Sequence, residues 1–178
     1  MLIRPATVAD VPFVLPMVRQ LCDLHACRDP ERFQVRADVI ERYALWLPER
    51  AADARSVFLV AESPPGMGGP VEDPPWRAVH AAAASPRPLA GFLVGTIEPE
   101  VPIFWMPECG WVHDVWVEPA ARGRGIARAL VDAAAQRFTA LGIKQMRLHT
   151  GTFNDAARAT FVGAGFRPSV VEMLRSLD

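Results

Sequence analysis

The sequence predicts one domain, residues 1–178, of the mixed α/β class. Its second half alternates strand, helix, strand and helix, an order typical of a sheet covered by helices. The segment 111–117, "WVHDVWV", is rich in aromatic and β-branched residues and predicts a central strand of this sheet. Hydrophobic residues make up 51% of the chain, so it has enough apolar surface to form a core.

The first half predicts a strand, two helices and a second strand. The stretch "LIRPAT" predicts the first strand, and Asp10 followed by Pro12 indicates a helix start, as N-cap and first-turn residue. A second helix is predicted over 36–48, and "SVFLVAE" predicts the next strand. The first helix has apolar residues at helical spacing, at Phe13, Met17, Leu21 and Leu24.

A Pro/Gly-rich segment at 63–88 interrupts this pattern. It contains seven of the 17 prolines and three of the 12 glycines. Proline fixes φ and lacks a backbone donor, which disfavours a central strand or a helix interior. We expect a long surface loop, either an insertion between two strands or a lid over the substrate.

The second half predicts three strands and two helices. After the strand "LAGFLVGTIE" and the central strand, a helix begins at Gly125 and ends at Gly142, which suits a C-terminal cap. "IKQMRLHT" predicts a strand, "NDAARATFVGAGF" predicts a short helix, and an extended segment runs towards Leu174. The helix after Gly125 has an apolar stripe formed by Ile126, Leu130, Ala134 and Phe138.

Charge, hydropathy and cysteine usage disfavour several classes of function. The net charge of -1 argues against broad nucleic-acid binding, and no apolar run approaches the ~20 residues of a membrane span. The first residues lack the features of a signal peptide, and three cysteines form no disulfide pattern, so a cytoplasmic location is expected. Cys22, His25 and Cys27 are too few to predict a metal site, and Cys109 is expected to be a buried apolar residue.

The junction between the central strand and the following helix predicts an anion site. A tight strand-to-helix turn directs backbone N–H groups at one point, where the helix dipole favours an anion. Gly123 and Gly125 let the backbone approach a ligand closely, while Arg122 and Arg124 add positive charge. A phosphate or pyrophosphate group is the expected ligand.

Two common phosphate motifs do not fit this junction. The chain lacks the Gly-x-x-x-x-Gly-Lys-Ser/Thr loop of nucleoside triphosphatases. A dinucleotide fingerprint starting at Gly123 would place Arg128 at its third glycine, and "RLHTGT" stands where an acidic residue is needed. A dinucleotide-binding oxidoreductase is therefore a remote possibility.

The pattern Arg-x-x-Gly-x-Ala at 122–127 resembles the pyrophosphate loop of the GNAT N-acetyltransferase family. The stretch "LHTGTFNDAARATFVGAGF" is similar to the family's next strand and helix, with its asparagine at Asn154 and its closing Gly165-Phe166. The stretch "IRPATVADVPFVLPMV" is similar to the family's first strand and helix. The resemblance implies a mixed, mostly antiparallel sheet of six to seven strands, with helices on both faces and a splay between the two central strands.

The resemblance also implies acetyl-CoA (coenzyme A) as co-substrate and no metal. The pantetheine arm would pair with backbone at Val115 and Val117, and the pyrophosphate would bind the amides at 123–127. Asn154 would hydrogen-bond the arm from the other side, and arginine side chains would add charge. The residues that the resemblance assigns to the cofactor are Val115, Trp116, Val117, Arg122, Gly123, Arg124, Gly125, Ile126, Ala127, Arg128, Asn154 and Phe161.

His113 and Asp114 interrupt an apolar strand, so each needs a reason to be there. Alternation places His113 on the face of Val115 and Val117, and Asp114 on the other face. An imidazole titrates at about pH 6.5, which suits a general base for the amine, and some family members have histidine here. A structural hydrogen bond at a wet strand end is the alternative role. The resemblance assigns the backbone N–H of Val115 to the oxyanion.

The family's usual proton donor to the departing thiolate is absent. Many members have a tyrosine four residues before the closing glycine, where this chain has Phe161, and its one tyrosine is Tyr43. A thiol with a pKa of about 8.5 is a tolerable leaving group, so activity need not vanish. Phe161 also motivates an alternative, an acyl-CoA-binding sensor or regulatory module without catalysis.

The expected acceptor is a small-molecule or peptide primary amine. The family builds its acceptor side from the first two helices and the loop before the central strand. Acidic and aromatic groups there suit a cationic amine with apolar area, although the same aromatics could close the core or a homodimer interface. Polyamines, aminoglycosides, amino acids and protein N-termini stay open. The candidate residues are His25, Phe33, Tyr43, Glu98 and Glu108.

Overall fold

A computed structural model describes residues 1–63 and 88–177. That part contains five strands, four α-helices and short 3-10 turns. The Pro/Gly-rich segment predicted as a loop or lid lies almost entirely outside the described residues. The elements are β1 (Leu2–Pro5), α1 (Val11–Arg28), α2 (Val39–Ala52), β2 (Val57–Glu62), β3 (Leu89–Pro99), β4 (Glu108–Val117), α3 (Ile126–Ala140), β5 (Met146–Leu148) and α4 (Asp155–Gly163).

The five strands form one sheet in the order β1-β2-β3-β4-β5. All neighbours are antiparallel except β4 and β5, which run parallel. The mixed, mostly antiparallel sheet predicted from the sequence is therefore confirmed. The predicted number of six to seven strands is too high for the described residues, and β3 rather than β4 is the middle strand.

The missing strand is the extended segment predicted after α4. Residues 167–177 form no strand, and the side chains of Val170 and Met173 are 84% and 86% exposed. A further strand formed by this segment would have to pair with the edge strand β5. Strand β5 has only three residues, so it offers few backbone groups for pairing.

Helices cover both faces of the sheet, as predicted. Helices α1 and α2 pack on one face, and α3 packs on the other. The core on the α1–α2 face includes Val14, Val18, Leu47, Phe58, Val60, Phe92, Val94 and Trp116. The core on the α3 face includes Leu59, Leu93, Val112, Val117, Leu130, Val131, Ala134 and Phe138.

The predicted cap of the first helix has a different role. Asp10 stands at the N-cap position of α1, but its carboxylate makes no capping bond to that helix. It accepts hydrogen bonds from the backbone and hydroxyl of Thr7 and from Arg4, all at 2.8 Å. Arg4 also donates a hydrogen bond to Glu62 on β2. The buried carboxylates of Asp10 and Glu62 and the guanidinium of Arg4 thus connect the edge strand β1 with β2 and with the start of α1.

Candidate active site

A β-bulge in β4 shapes the site. Val94 of β3 pairs with Asp114, and the next residue, Gly95, pairs with Val112, so His113 is an extra residue with no partner on β3. A Cβ at Gly95 would lie 2.7 Å from the carbonyl oxygen of Trp111, so only glycine allows this close approach.

The bulge resets the alternation of side chains along β4. The ring of His113 contacts Trp46 of α2, and the carboxylate of Asp114 bonds Tyr43 of the same helix. Both side chains therefore lie on the α1–α2 face, whereas Val115 packs with the α3 core. The predicted alternation, which put Asp114 opposite His113 and grouped His113 with Val115, was wrong because it assumed an uninterrupted strand.

The bulge also directs backbone groups into a gap between β4 and β5. Strand β5 pairs with β4 only over 110–112, so the last five residues of β4 have no strand neighbour on that side within the described part of the chain. Glu118 donates its N–H to the carbonyl of Ala90 on β3. Backbone groups two residues apart in a strand point the same way, so those of Trp116 are also directed at β3. Val115 and Val117 then direct their backbone groups away from β3, into the gap. The sheet therefore splays as predicted, but the splay lies between β4 and the edge strand β5 rather than between two central strands.

The loop after β4 has the left-handed backbone that its glycines suggest. Gly123 and Gly125 have φ values of 74° and 76°, a region that costs other L-residues about 1–2 kcal/mol. No described atom lies within 4 Å of a Cβ built on either residue, so the space above the loop is open. Helix α3 begins directly afterwards at Ile126, with Gly125 as its N-cap.

Arg122 and Arg128, which were assigned to the cofactor, make contacts within the protein. Arg122 donates from Nε to the carbonyl of Val117 at 3.0 Å, and its guanidinium lies 4.7 Å from the ring centroid of Trp116. Arg128 bonds Asp132, one turn along α3, and the carbonyl of Gly163 at the end of α4. Arg122 thus fixes the end of β4, and Arg128 joins α3 to α4.

The remaining residues assigned to the cofactor lie on or near α4 and the loop. Asn154 is the N-cap of α4, where its Oδ1 accepts from the N–H of Ala157 at 3.1 Å. Phe161 packs edge-on against Phe166, with ring centroids 5.9 Å apart, beside the α3 core. Arg124 is exposed on the loop.

His113 opens into a pocket of about 330 Å³ between α2, β3 and β4. Its Nε2 lies 2.6 Å from the hydroxyl of Thr96, which lies 2.5 Å from Oε1 of Glu98. A carboxylate can only accept, so the single hydroxyl hydrogen of Thr96 goes to Glu98 and its oxygen accepts from Nε2–H. With the proton on Nε2, the Nδ1 atom of His113 is the one that can accept a proton. The pocket is lined by Trp46, Arg50, Asp53, Arg55, Thr96, Ile97, Glu98 and His113.

The surroundings keep His113 neutral near pH 7. Burial lowers the pKa of its imidazole, the positive charge of Arg50 lowers it further, and the carboxylate of Glu98 opposes both. The side chain is still 31% exposed, and it lines the pocket. A neutral imidazole with an accessible nitrogen can take a proton from an amine.

Tyr43 and Asp114 form a polar pair behind this pocket. The Tyr43 hydroxyl donates to Oδ2 of Asp114 at 2.9 Å. Burial raises the pKa of Asp114 to about 6, despite the opposing effect of that hydrogen bond, and burial also raises the pKa of Tyr43. The hydroxyl of Tyr43, a predicted acceptor-side residue, is therefore used within the fold.

The other predicted acceptor-side residues fall into two groups. Glu98 lines the His113 pocket, and Glu108 reaches its rim through a 2.7 Å ion pair with Arg55. His25 and Phe33 stack at 4.7 Å in a second group, where Phe153 packs against both rings.

Sequence reasoning missed several residues at these places, among them Thr96, Arg50 and Phe153. Thr96 lies two residues before Glu98 in a strand, so alternation could have placed both on one face. Arg50 and Phe153 gave no comparable signal, because a helix-surface arginine and a loop phenylalanine fit many roles.

Comparison with known proteins agrees with this architecture. The family model described as the acetyltransferase (GNAT) family matches residues 41–166. The chain therefore belongs to the GNAT acetyltransferase family. Membership in this family excludes the hypothesis, considered from the sequence, that the chain is a dinucleotide-binding oxidoreductase.

Three similar proteins illustrate the match. A mycothiol acetyltransferase of Beutenbergia cavernae is 37% identical over 62 residues, 35% of this chain and 21% of that protein. The uncharacterized N-acetyltransferase YycN of Bacillus subtilis is 25% identical over 132 residues, 74% of this chain and 79% of that protein. The crystal structure of a predicted acetyltransferase with acetyl-CoA from Clostridium acetobutylicum shares the fold, with a TM-score of 0.69, 16% identity and coverage of 98% and 95% of the two chains. The chain spans 21% to 28% of the length of the mycothiol acetyltransferases that it matches.

The described residues lack two further features, a membrane-spanning helix and a cluster of metal ligands. Within 1–63 and 88–177, no helix has the length and apolar character to cross a bilayer. The same residues contain no group of three or more His, Cys, Asp or Glu side chains arranged for a metal ion. Cys22, Cys27 and Cys109 are free thiols, and burial raises the pKa of Cys22 and Cys109.

Proposed function

We propose that this chain is an acetyl-CoA-dependent N-acetyltransferase that moves the acetyl group directly to a primary amine in a ternary complex. The observation that carries the proposal is the bulge at His113. One inserted residue turns the backbone of Val115 into the gap beside β5 and places an imidazole over an adjoining pocket. Transfer to an amine requires both features, a donor for the oxyanion and an acceptor for the proton.

The gap and the loop suit acetyl-CoA. The backbone groups of Val115 and the N–H of Val117 are available to the pantetheine arm, whereas the carbonyl of Val117 already accepts from Arg122. The amides at 123–127 surround open space at the start of α3, which suits a pyrophosphate. In our proposal Arg124 adds charge there, Arg122 holds the strand end, and Arg128 and Asn154 order α4 beside the arm.

The proposed chemistry uses few protein groups. Nδ1 of His113 takes a proton from the acceptor ammonium, and the resulting amine attacks the thioester carbonyl. The N–H of Val115 donates to the oxyanion. The C–S bond then breaks and the thiolate leaves without help from position 161, because Phe161 cannot donate a proton. The nitrogen loses its second proton to solvent water, which gives the neutral amide. Thr96 and Glu98 hold the imidazole in the tautomer that this step needs.

Calorimetric titration of acetyl-CoA, followed by an assay of thiol release against a panel of amines in the same sample, tests the proposal. We expect binding, and thiol release with at least one class of amine. Absence of acetyl-CoA binding would remove the assignment of the gap and loop to the cofactor.

The second candidate is an acyl-CoA-binding sensor without catalysis, which Phe161 favours. Its ring packs against Phe166, so this position supplies packing and no proton. A sensor would bind acetyl-CoA but release no thiol with any amine. The cytoplasmic location, the homodimer and the absence of nucleic-acid and membrane partners stay predictions from the sequence and its family resemblance.

A further inference from the structure

The His113 pocket contains a guanidinium whose hydrogen-bonding capacity is not met among the described residues. Nε of Arg50 is buried and has no hydrogen-bond partner there, and the side chain is only 22% exposed. Its terminal nitrogens lie 3.5 Å from Glu49 and 3.7 Å from Asp53, longer than the usual 2.7–3.2 Å of an N–H···O bond. A partly buried guanidinium with weak partners gains free energy from a ligand that supplies acceptors to its terminal nitrogens.

Of the two carboxylates near Arg50, Glu49 is 68% exposed and Asp53 makes closer hydrogen bonds elsewhere. Asp53 accepts a 2.7 Å bond from the hydroxyl of Ser56 and a 2.9 Å bond from the backbone N–H of Arg55, which together close the turn after α2. The guanidinium of Arg50 lies 5.7 Å from the ring centroid of Trp46, so the indole helps to hold it in place. Arg50 is therefore held in position, with donors left for an incoming anion.

The pocket contains a cation and a carboxylate in the neighbourhood of one indole. Trp46 contacts Arg50, and its ring centroid lies 5.4 Å from that of His113. Beyond His113 stands the carboxylate of Glu98, whose oxygen is 3.8 Å from Nε2. The other cation of the pocket, Arg55, is paired with Glu108. A ligand with a cationic and an anionic end matches this distribution.

We propose that the acceptor carries a carboxylate as well as its primary amine, as in an amino acid or a longer amino carboxylic acid, and that Arg50 binds this carboxylate. The fork of donors on a guanidinium matches the two oxygens of a carboxylate. Glu98 attracts the ammonium at the other end, and His113 takes its proton. This inference rests on the proposed function and narrows the class of acceptor.

Matched pairs of amines that differ only in the carboxylate test the inference. Suitable pairs are 4-aminobutyrate with propylamine, β-alanine with ethylamine, and phenylalanine with phenethylamine. We expect kcat/KM to be about tenfold to hundredfold higher for the carboxylated member of at least one pair, the range expected for a charge-assisted hydrogen bond.

Arg50→Gln should reduce that preference about tenfold or more, mainly through KM. Arg42→Gln is the matched control, because Arg42 lies on the same helix, 58% exposed and paired with Asp38, and the same charge is removed. The control should keep the ratio of the wild-type protein. Arg50→Lys should restore part of the preference, since it keeps the charge without the fork.

Two results would overturn the inference. The first is that the decarboxylated amines react as well as their carboxylated partners, and the second is that Arg50→Gln lowers kcat/KM equally for both members of a pair. In either case Arg50 does not bind a substrate carboxylate, and the acetyltransferase proposal stands. If no amine releases thiol, the proposed function fails instead. Calorimetric titration of 4-aminobutyrate in the presence of coenzyme A then decides the role of Arg50: binding to wild type but not to Arg50→Gln supports it, and no difference refutes it.

Discussion

At the scale of single residues, His113 combines position with a suitable protonation state. Burial and Arg50 keep the imidazole neutral, and the hydroxyl of Thr96 fixes the tautomer that leaves Nδ1 as acceptor. The polarity of Asp114 has a different explanation, since its carboxylate is bonded to Tyr43 within the fold. Two adjacent polar residues in one strand thus have separate roles, a difference the sequence pattern does not reveal.

Thr96→Val should lower kcat about tenfold with little change in acetyl-CoA affinity. Valine nearly conserves the volume but cannot accept from Nε2–H, so the imidazole loses its preferred tautomer. Thr96→Ser keeps the hydroxyl and should restore most of the rate. If the serine and valine variants are equally slow, the hydroxyl is not the positioning group.

The pH dependence of kcat/KM should show an acid limb below pH 6.5. Protonation of His113 removes the base, and burial together with Arg50 lowers the pKa at which this happens, while Glu98 raises it. Glu98→Gln should therefore move the limb to lower pH, and Arg50→Gln should move it to higher pH. Measurement of pH–rate profiles for the three proteins checks the order, and identical profiles would contradict it.

Asp114→Asn should stabilise the fold more at pH 8 than at pH 5. Burial raises the pKa of Asp114 to about 6 from its usual 3.8. Between pH 3.8 and about 6, the carboxyl group of Asp114 is therefore protonated more in the native protein than in the unfolded chain. Native stability from this group therefore falls as pH rises through that window, and asparagine removes the penalty. Urea unfolding at the two pH values should differ by about 1 kcal/mol in the effect of the substitution. An equal effect of the substitution at the two pH values would show that the pKa of Asp114 is not raised.

At the scale of elements, the bulge in β4 was the feature hardest to predict. An apolar run such as "WVHDVWV" has the composition of an uninterrupted strand, and the register depends on pairing with β3. A signal was present, because an isolated glycine in a strand pattern, here Gly95, often marks a bulge or a close approach. The loop after β4 was easier, since its glycines and following helix are contiguous in sequence.

Gly125→Ala should lose both stability and acetyl-CoA affinity. The substitution forces a Cβ into a left-handed backbone at a cost of about 1–2 kcal/mol and shifts amides that face the proposed pyrophosphate. Gly142→Ala is the matched control: its φ is 82° and its surroundings are equally open, but it ends α3. Thermal unfolding should show similar losses for both variants, and only Gly125→Ala should bind acetyl-CoA more weakly. Equal affinities would contradict the loop's role.

At the scale of the whole molecule, local patterns predicted the order of helices and strands and the mixed sheet. They did not predict the number of strands, because an extended apolar segment such as 167–177 becomes a strand only when a neighbouring edge is available. They also did not separate the His25–Phe33 group from the His113 pocket, because long-range packing decides which side chains meet.

The most direct test of the account is the turnover of His113→Ala at saturating acetyl-CoA and amine, with the acetyl-CoA Kd measured in the same sample. A general base typically contributes about 10²–10⁴-fold, so kcat should fall by that order while the Kd stays near the wild-type value. A wild-type rate in the variant would show that the bulge at His113 does not hold the catalytic base.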